Sequence, residues 1–329
     1  MKYPLIVRYV AETVWAMQPS KMAELLSVLA FRAAGHEFTK EEIQARIGDG
    51  NASSGASKRG AVAVIPVHGV IAHRMSGMED SSGGTSCERL SQMIAAVAAD
   101  PGIGTILYDF NTPGGSVTGM AEVAAQMWAL RGVKTQIAQV NGLAASAGYC
   151  LASQCDEIIS MPSGITGSIG VFSVHEDLSQ ALEQEGISLT TFSAGKYKLE
   201  GSPFGPLTEE AKAFMQARVD TAYAQFVKDV ARGRGVSVAD VRNGFGEGRA
   251  LNAKDALKAG LITSIGTMDA TIGRLVGKSS GGLKAVWKEE DEPFAGRFEK
   301  DTQDALAEIA GLADSHESEN DRARRSRLL

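Results

Sequence analysis

The chain has 329 residues, enough for one large core with extensions or for two domains. It is 44% hydrophobic and 22% charged, the balance of an ordinary globular protein. A net charge of −6 gives no electrostatic basis for binding nucleic acid or an anionic membrane, and neither is expected as a partner.

Residues 1–47 read as helical and separate, with Met22, Leu25, Leu26, Leu29 and Ala30 forming an apolar stripe and Thr39 with Glu42 a capping box. Pro4, Arg8 and Glu12 interrupt the start, so no signal peptide is expected, and no apolar run reaches the roughly eighteen residues of a membrane span. Gly48–Gly60 reads as a flexible linker by composition. Ala61–Ile71 reads as a buried strand, with Pro66 marking an edge or bulge. Residues 74–86 read as a mobile loop. Leu90, Met93, Ile94, Val97 and Ala98 then give a helix ending near Asp100–Pro101. A strand at Thr105–Phe110, a helix around Met120–Met127, a strand at Thr135–Val140 and a helix opening at Ser146 follow. This alternation predicts an α/β domain with a mostly parallel sheet.

Glu157–Met161 reads as a further strand, and a helix with Leu178, Ala181 and Leu182 ends at Gly186. Ile187–Phe192 is expected to be a strand, and Thr208 to about Ala231 a long helix that docks on a neighbour or covers the site. Asn252 caps a short helix stopped at Gly260, and Leu261–Ile265 closes the domain. From Lys278 onward polar and charged residues dominate, with one amphipathic helix expected at Phe298–Leu312. The domains are therefore set at 1–60, a helical extension with linker; 61–277, the α/β domain; and 278–329, a flexible polar tail.

Three stretches place glycine or serine at a strand end: Asn111–Gly115, Ala144–Gly148 and Gly167–Gly170. In a parallel sheet such ends converge on one crevice. Ser146, flanked by alanines at a helix start, suits a nucleophile, since small neighbours admit a substrate backbone. Taken alone, an Ala/Ser/Gly run also reads as tight helix packing, and Pro-Gly-Gly as a plain turn. Gly114, Gly115 and the Ala147 amide could form an oxyanion hole, each donor contributing about 3–4 kcal/mol to a transition state. Among His36, His68, His73, His175 and His316, only His175 is a credible base for Ser146; Lys196 and Lys198 are the other candidates. A lysine base must be neutral near pH 7, which burial and a partner such as Ser168 would favour.

Asn-Thr-Pro-Gly-Gly, Ala-Ala-Ser-Ala-Gly-Tyr, Gly-Ser-Ile-Gly-Val and Gly-Lys-Tyr-Lys…Ser-Pro-Phe, in this order over about residues 61–270, resemble the signal peptide peptidase A family of serine peptidases. The resemblance implies a ClpP/crotonase-like fold and a Ser/Lys dyad. Ser146 would be the nucleophile, Lys198 the base, Gly114 and Gly115 the lining of the oxyanion hole, and Ser168 the support of the lysine amine. No metal or cofactor is implied. The segment Tyr-Pro-Leu…Trp-Ala-Met-Gln-Pro-Ser-Lys-Met resembles the minor capsid protein C branch of tailed bacteriophages, prohead peptidases that trim scaffold and portal proteins. A head-maturation protease working as a homo-oligomer in the host cytoplasm is the function so implied. A general cytoplasmic peptidase, an acyl-CoA enzyme of the same fold and a non-catalytic capsid or scaffold protein are the alternatives. The cysteines Cys87, Cys150 and Cys155 lack metal spacing and cannot all pair, as suits a reducing compartment.

Overall fold

The computed structural model describes residues 13–23, 26, 56–75 and 84–276. The chain divides into two units, Met1–Ser279 and Ser280–Leu329, and the described residues all lie in the first. The expected capping box at Thr39, most of the 48–60 linker, much of the 74–86 loop, and the tail with its helix at 298–312 lie outside the described residues.

The elements run β1 (Trp15–Met17), β2 (Ser57–Arg59), β3 (Val62–His68), β4 (Ile71–Ala72), β5 (Thr85–Ser86), α1 (Cys87–Ala99), β6 (Thr105–Thr112) and β7 (Gly114–Ser116). Next come α2 (Met120–Ala129), β8 (Thr135–Ala145), α3 (Ala147–Ala152), β9 (Glu157–Ser160), β10 (Ile165–Gly167) and α4 (Ser179–Gln184). The last are α5 (Glu209–Arg234), α6 (Val238–Gly244), β11 (Ala250–Asn252), α7 (Ala253–Lys258), β12 (Ser264–Ile265) and α8 (Met268–Val276).

Strands β3, β6 and β8 are the parallel centre of an eight-stranded sheet, which the sequence alternation anticipates. Side chains alternate across it with period two. Ala63, Ile65, Val67, Ile106, Tyr108 and Phe110 face the main core, where α1, α2, α3 and the second half of α5 cover them. Val62, Leu107, Ile137 and Ile159 face the other way, against Met268, Ile272 and Leu275 of α8. Each such buried aliphatic stabilises the fold by about 1.5–3 kcal/mol. Tyr108 Oη donates to Gln136 Oε1 at 3.1 Å, and Gln136 Nε2 to the Met127 carbonyl at 2.7 Å, so these two buried polar side chains satisfy one another and the helix end above them. Strand β2 covers Val62–Val64, and among the described residues none pairs with Pro66 on that side, where a missing N–H is tolerated.

Strand β8 forks. Ile137–Val140 pair with β9, whereas Leu143–Ala145 pair with β10, and Gly142 at φ +125° takes up the change of direction. The strand therefore runs five residues beyond the expected Val140, and its diverted end delivers Ser146. A second, four-stranded sheet has the order β1-β7-β4-β5.

Two expectations are corrected. Trp15–Met17, read as part of a helical extension, is a strand paired to β7, because the backbone of β7 offers it an unpaired edge. Ile187–Phe192 is irregular, with Ile187, Leu189 and Phe192 exposed at 45%, 51% and 92%, because no described strand lies alongside to accept its hydrogen bonds. Helix α4 does end as read: Gly186, at φ +71°, closes it, with the Ile187 N–H donating to the Leu182 carbonyl at 2.9 Å.

Candidate active site

Ser146 stands between β8 and α3 with φ 55° and ψ −116°, a conformation that side chains avoid. Two backbone contacts hold it there: its N–H donates to the Gly167 carbonyl at 2.7 Å, and its carbonyl accepts from the Cys150 N–H at 2.9 Å. The hydroxyl donates to the Gly170 carbonyl at 3.2 Å. Ser146 is fully buried. Helix α3 can start so close to the sheet because residue 148 is glycine. A β-carbon there would overlap Thr112 Cγ2.

Gly114 and Gly115 reach the same place from β7. Thr112 orients the turn into this strand, accepting from the Gly114 N–H at 3.1 Å and donating to the Gly69 carbonyl at 2.6 Å. Gly114 has φ +98°, and a β-carbon on it would overlap the Ala16 carbonyl and lie 3.0 Å from Ser146 Cβ. One glycine thus separates the serine from the backbone of β1. The Gly114 N–H is engaged with Thr112. The first-turn amides of α3, including that of Ala147, have no intrahelical acceptor.

Ser168, the other serine at this strand end, also has positive φ, at 55°, and its N–H donates to the Arg249 carbonyl at 2.8 Å. Two serines with positive φ at the ends of the paired strands β8 and β10 suit a functional site. The structure thus brings together Ser146, Gly114, Gly115 and Ala147, and it places Ser168 one residue beyond the Gly167 carbonyl that holds the serine.

Lys198 is placed differently. It lies on the exposed segment 187–207, and among the described residues its ammonium makes no hydrogen bond or ion pair. Lys196 donates to Tyr197 Oη at 2.7 Å and to Glu210 Oε1 at 3.0 Å. These hydrogen bonds, to Tyr197 first and Glu210 second, raise its pKa, the reverse of what a base requires. His175 has its Nε2 buried without a hydrogen-bond partner among the described residues.

Gly148, read in the sequence as a neighbour of Ser146, builds the site as expected, whereas the parts played by Thr112 and Phe172 were not anticipated. The threonine was visible only as a member of Asn-Thr-Pro-Gly-Gly, and nothing local marks Phe172 as the neighbour of β1. The three cysteines are free and buried. Among the described residues no group of His, Cys, Asp or Glu is arranged to hold a metal, and no helix is long and apolar enough to cross a membrane.

Fold and site together define an α/β protein whose parallel sheet delivers a strained serine to the start of a helix, beside a glycine-rich strand. Residues 129–279 match peptidase family S49, and over that stretch the family resemblance read from the motifs is borne out. Capsid assembly protease C of Escherichia phage lambda is 31% identical over 62% of this chain and 46% of its own length. Head-tail preconnector protein GP5 of Enterobacteria phage P21 is 32% identical over 62% of this chain and 40% of its own. Protease 4 of Salmonella typhi is 28% identical over 67% of this chain and 35% of its own. The chain thus spans less than half the length of each of these three. Among solved structures, a ClpP1 variant from Listeria monocytogenes matches at TM-score 0.40 and 12% identity, over 62% of this chain and 91% of that one.

Proposed function

We propose that this protein is a serine endopeptidase with Ser146 as nucleophile and Lys198 as general base, acting on head proteins of a phage or prophage. The observation that carries the nucleophile is the strained, buried Ser146 beside Gly114. The similarity to a phage capsid assembly protease supports scaffold, portal or capsid proteins as substrates. Neutral Lys198 takes the Ser146 proton as Oγ attacks a peptide carbonyl. The Gly115 and Ala147 amides hold the oxyanion, while Gly114 leaves room for the chain. Protonated Lys198 then gives its proton to the leaving amine, and neutral again, it activates the water that releases the acyl group.

Lys198 reaches the serine through assembly. Its segment carries Phe192, Tyr197, Leu199 and Phe204, all exposed at 44% or more, more apolar surface than one loop of a monomer usually leaves in water. A homo-oligomer covers these side chains and takes the lysine out of water between copies. Labelling with a serine-reactive fluorophosphonate and mapping of the modified residue tests the nucleophile: Ser146 is expected to carry the label, and label elsewhere or none overturns it. Hydrolysis of a scaffold or casein-like peptide by Lys198→Ala tests the base.

A further inference from the structure

We propose that β1 with its flanks, Val14–Gln18, fills the peptide-binding slot of this site, seating the Ala16 carbonyl at the Gly115 amide, so that an extended polypeptide enters by displacing it. The inference rests on Ser146 being the reacting group of a peptidase. What points to it is that β1 is hydrogen-bonded on both edges by segments that converge on that serine.

On one edge the Val117 N–H donates to the Val14 carbonyl at 3.1 Å, and the Gln18 N–H donates to the Pro113 carbonyl at 3.0 Å. On the other, Trp15 and Phe172 exchange both backbone hydrogen bonds, at 2.8 and 2.9 Å. Phe172 lies two residues beyond Gly170, whose carbonyl accepts from the Ser146 hydroxyl. An inserted peptide strand satisfies its backbone in the same way.

The register identifies the residue at the reacting position. Val14 and Gln18 bond to the β7 side, and hydrogen-bonded pairs recur every second residue in an antiparallel ladder. Ala16, whose Cα partner is Gly115, is therefore the remaining hydrogen-bonded pair, with its carbonyl toward the Gly115 amide. The same carbonyl is the group that a β-carbon on Gly114 would strike, and that β-carbon would also lie 3.0 Å from Ser146 Cβ. Ala16 is wholly buried, so the pocket at this position takes a small side chain. Pro19 has no N–H, and the pairing ends at Gln18.

Of strand β1, only the small Ala16 joins the main core. Trp15 and Met17 pack with Met22, Leu26, Val70 and Phe172 in a cluster apart from the main core. Beyond Val14 the slot opens into a groove lined by Thr13, Val117, Thr118 and residues of α5 including Phe214 and Lys228, with space for more of a bound chain.

The test uses the full-length protein and a fluorescein-labelled peptide of residues 13–20. In a Ser146→Ala background, the additional substitution Trp15→Ala is expected to tighten binding of the peptide roughly tenfold or more, because the tethered competitor is loosened. A peptide carrying Phe at the Ala16 position is expected to bind at least about tenfold more weakly. With Ser146 present, Trp15→Ala should raise the rate of fluorophosphonate labelling by a similar factor. Should Trp15→Ala fail to fold, hydrogen exchange of the unaltered protein decides: the Trp15, Val117 and Phe172 amides should open together well before those of β6 and β8. Equal peptide affinity with and without Trp15, or exchange of those amides only with the core, overturns the proposal. Peptide binding as described with no label on Ser146 in any variant upholds the slot and overturns the nucleophile.

Discussion

A side chain at φ 55° and ψ −116° costs about 1–3 kcal/mol, and Ser146 keeps that strain although glycine would relieve it. Ser146→Gly and Ser146→Ala both remove the hydroxyl, so their comparison isolates the backbone. The glycine variant is expected to unfold about 1 kcal/mol later than the alanine variant in urea, with both failing to hydrolyse peptide or take up fluorophosphonate. The candidate bases separate by substitution as well. Lys198→Ala and Lys198→Arg are expected to abolish turnover, because arginine cannot give up its proton near neutral pH. Lys196→Ala should change the rate little, since Tyr197 and Glu210 hold that lysine protonated. His175→Ala should keep most activity. Turnover measured for all four on one scaffold peptide checks the order, and a dead His175→Ala beside a live Lys198→Ala would reverse the assignment.

At the scale of elements, the site depends on two close approaches. Helix α3 lies against the end of β6 only because Gly148 has no β-carbon to strike Thr112 Cγ2. Gly148→Ala is expected to destabilise the fold by about 1–3 kcal/mol and to depress the labelling rate, by pushing Ser146 away from Gly115. Thr112→Ser, which removes the obstructing methyl and keeps the hydroxyl that accepts from Gly114, should restore much of both in the double variant. The second approach is α5 on the far end of α3, where a β-carbon on Gly233 would overlap the Ser153 carbonyl. The second half of α5 buries Phe226, Val227 and Val230, and Gln154 Nε2 donates to the Asp229 carbonyl at 3.0 Å. The first half is largely exposed, with Phe214 at 56%. One helix thus braces the serine's own helix and extends beyond it.

For the whole molecule, the exposed apolar side chains on 187–207 and on α5 make assembly and activity one question. Turnover per subunit is expected to rise with protein concentration and to fall on dilution as the oligomer dissociates, with light scattering following the same curve. A strict monomer with full activity would remove the proposed delivery of Lys198. Stability has its own pH signature. Burial, with Glu122 adding to it, pushes the Cys87 thiol up to about 12, and burial likewise raises Cys150, Cys155, Tyr108 and Tyr149. A folded pKa above the unfolded one means that the stabilisation is complete below about pH 9 and is lost as pH climbs toward 12. Through Cys87 alone, each pH unit in that window removes up to about 1.4 kcal/mol. Tm should therefore fall steeply above pH 9, less so in Cys87→Ala, and native thiols should resist alkylating reagents at pH 8 until the chain unfolds.

The sequence by itself determined the α/β core, because the evidence for it is local. The strands at Thr105 and Thr135, the stripe of α1, the glycine closing α4 and the asparagine that caps α7 are each written within a few residues. It also set Ser146 at a strand-to-helix junction, and the strained dihedral angles there are the physical form of that reading. Only the tertiary structure decided what the junction faces. Three residues, Trp15–Met17, are too few to display a period, and their partners, Gly114–Ser116 and Phe172, lie far along the chain. The same holds for the fork in β8, where Val140 and Leu143 turn to different neighbours, β9 and β10. Ile187–Phe192 makes the converse point: a strand-like composition produced no strand, because backbone hydrogen bonds need a second segment in place, and among the described residues none is there.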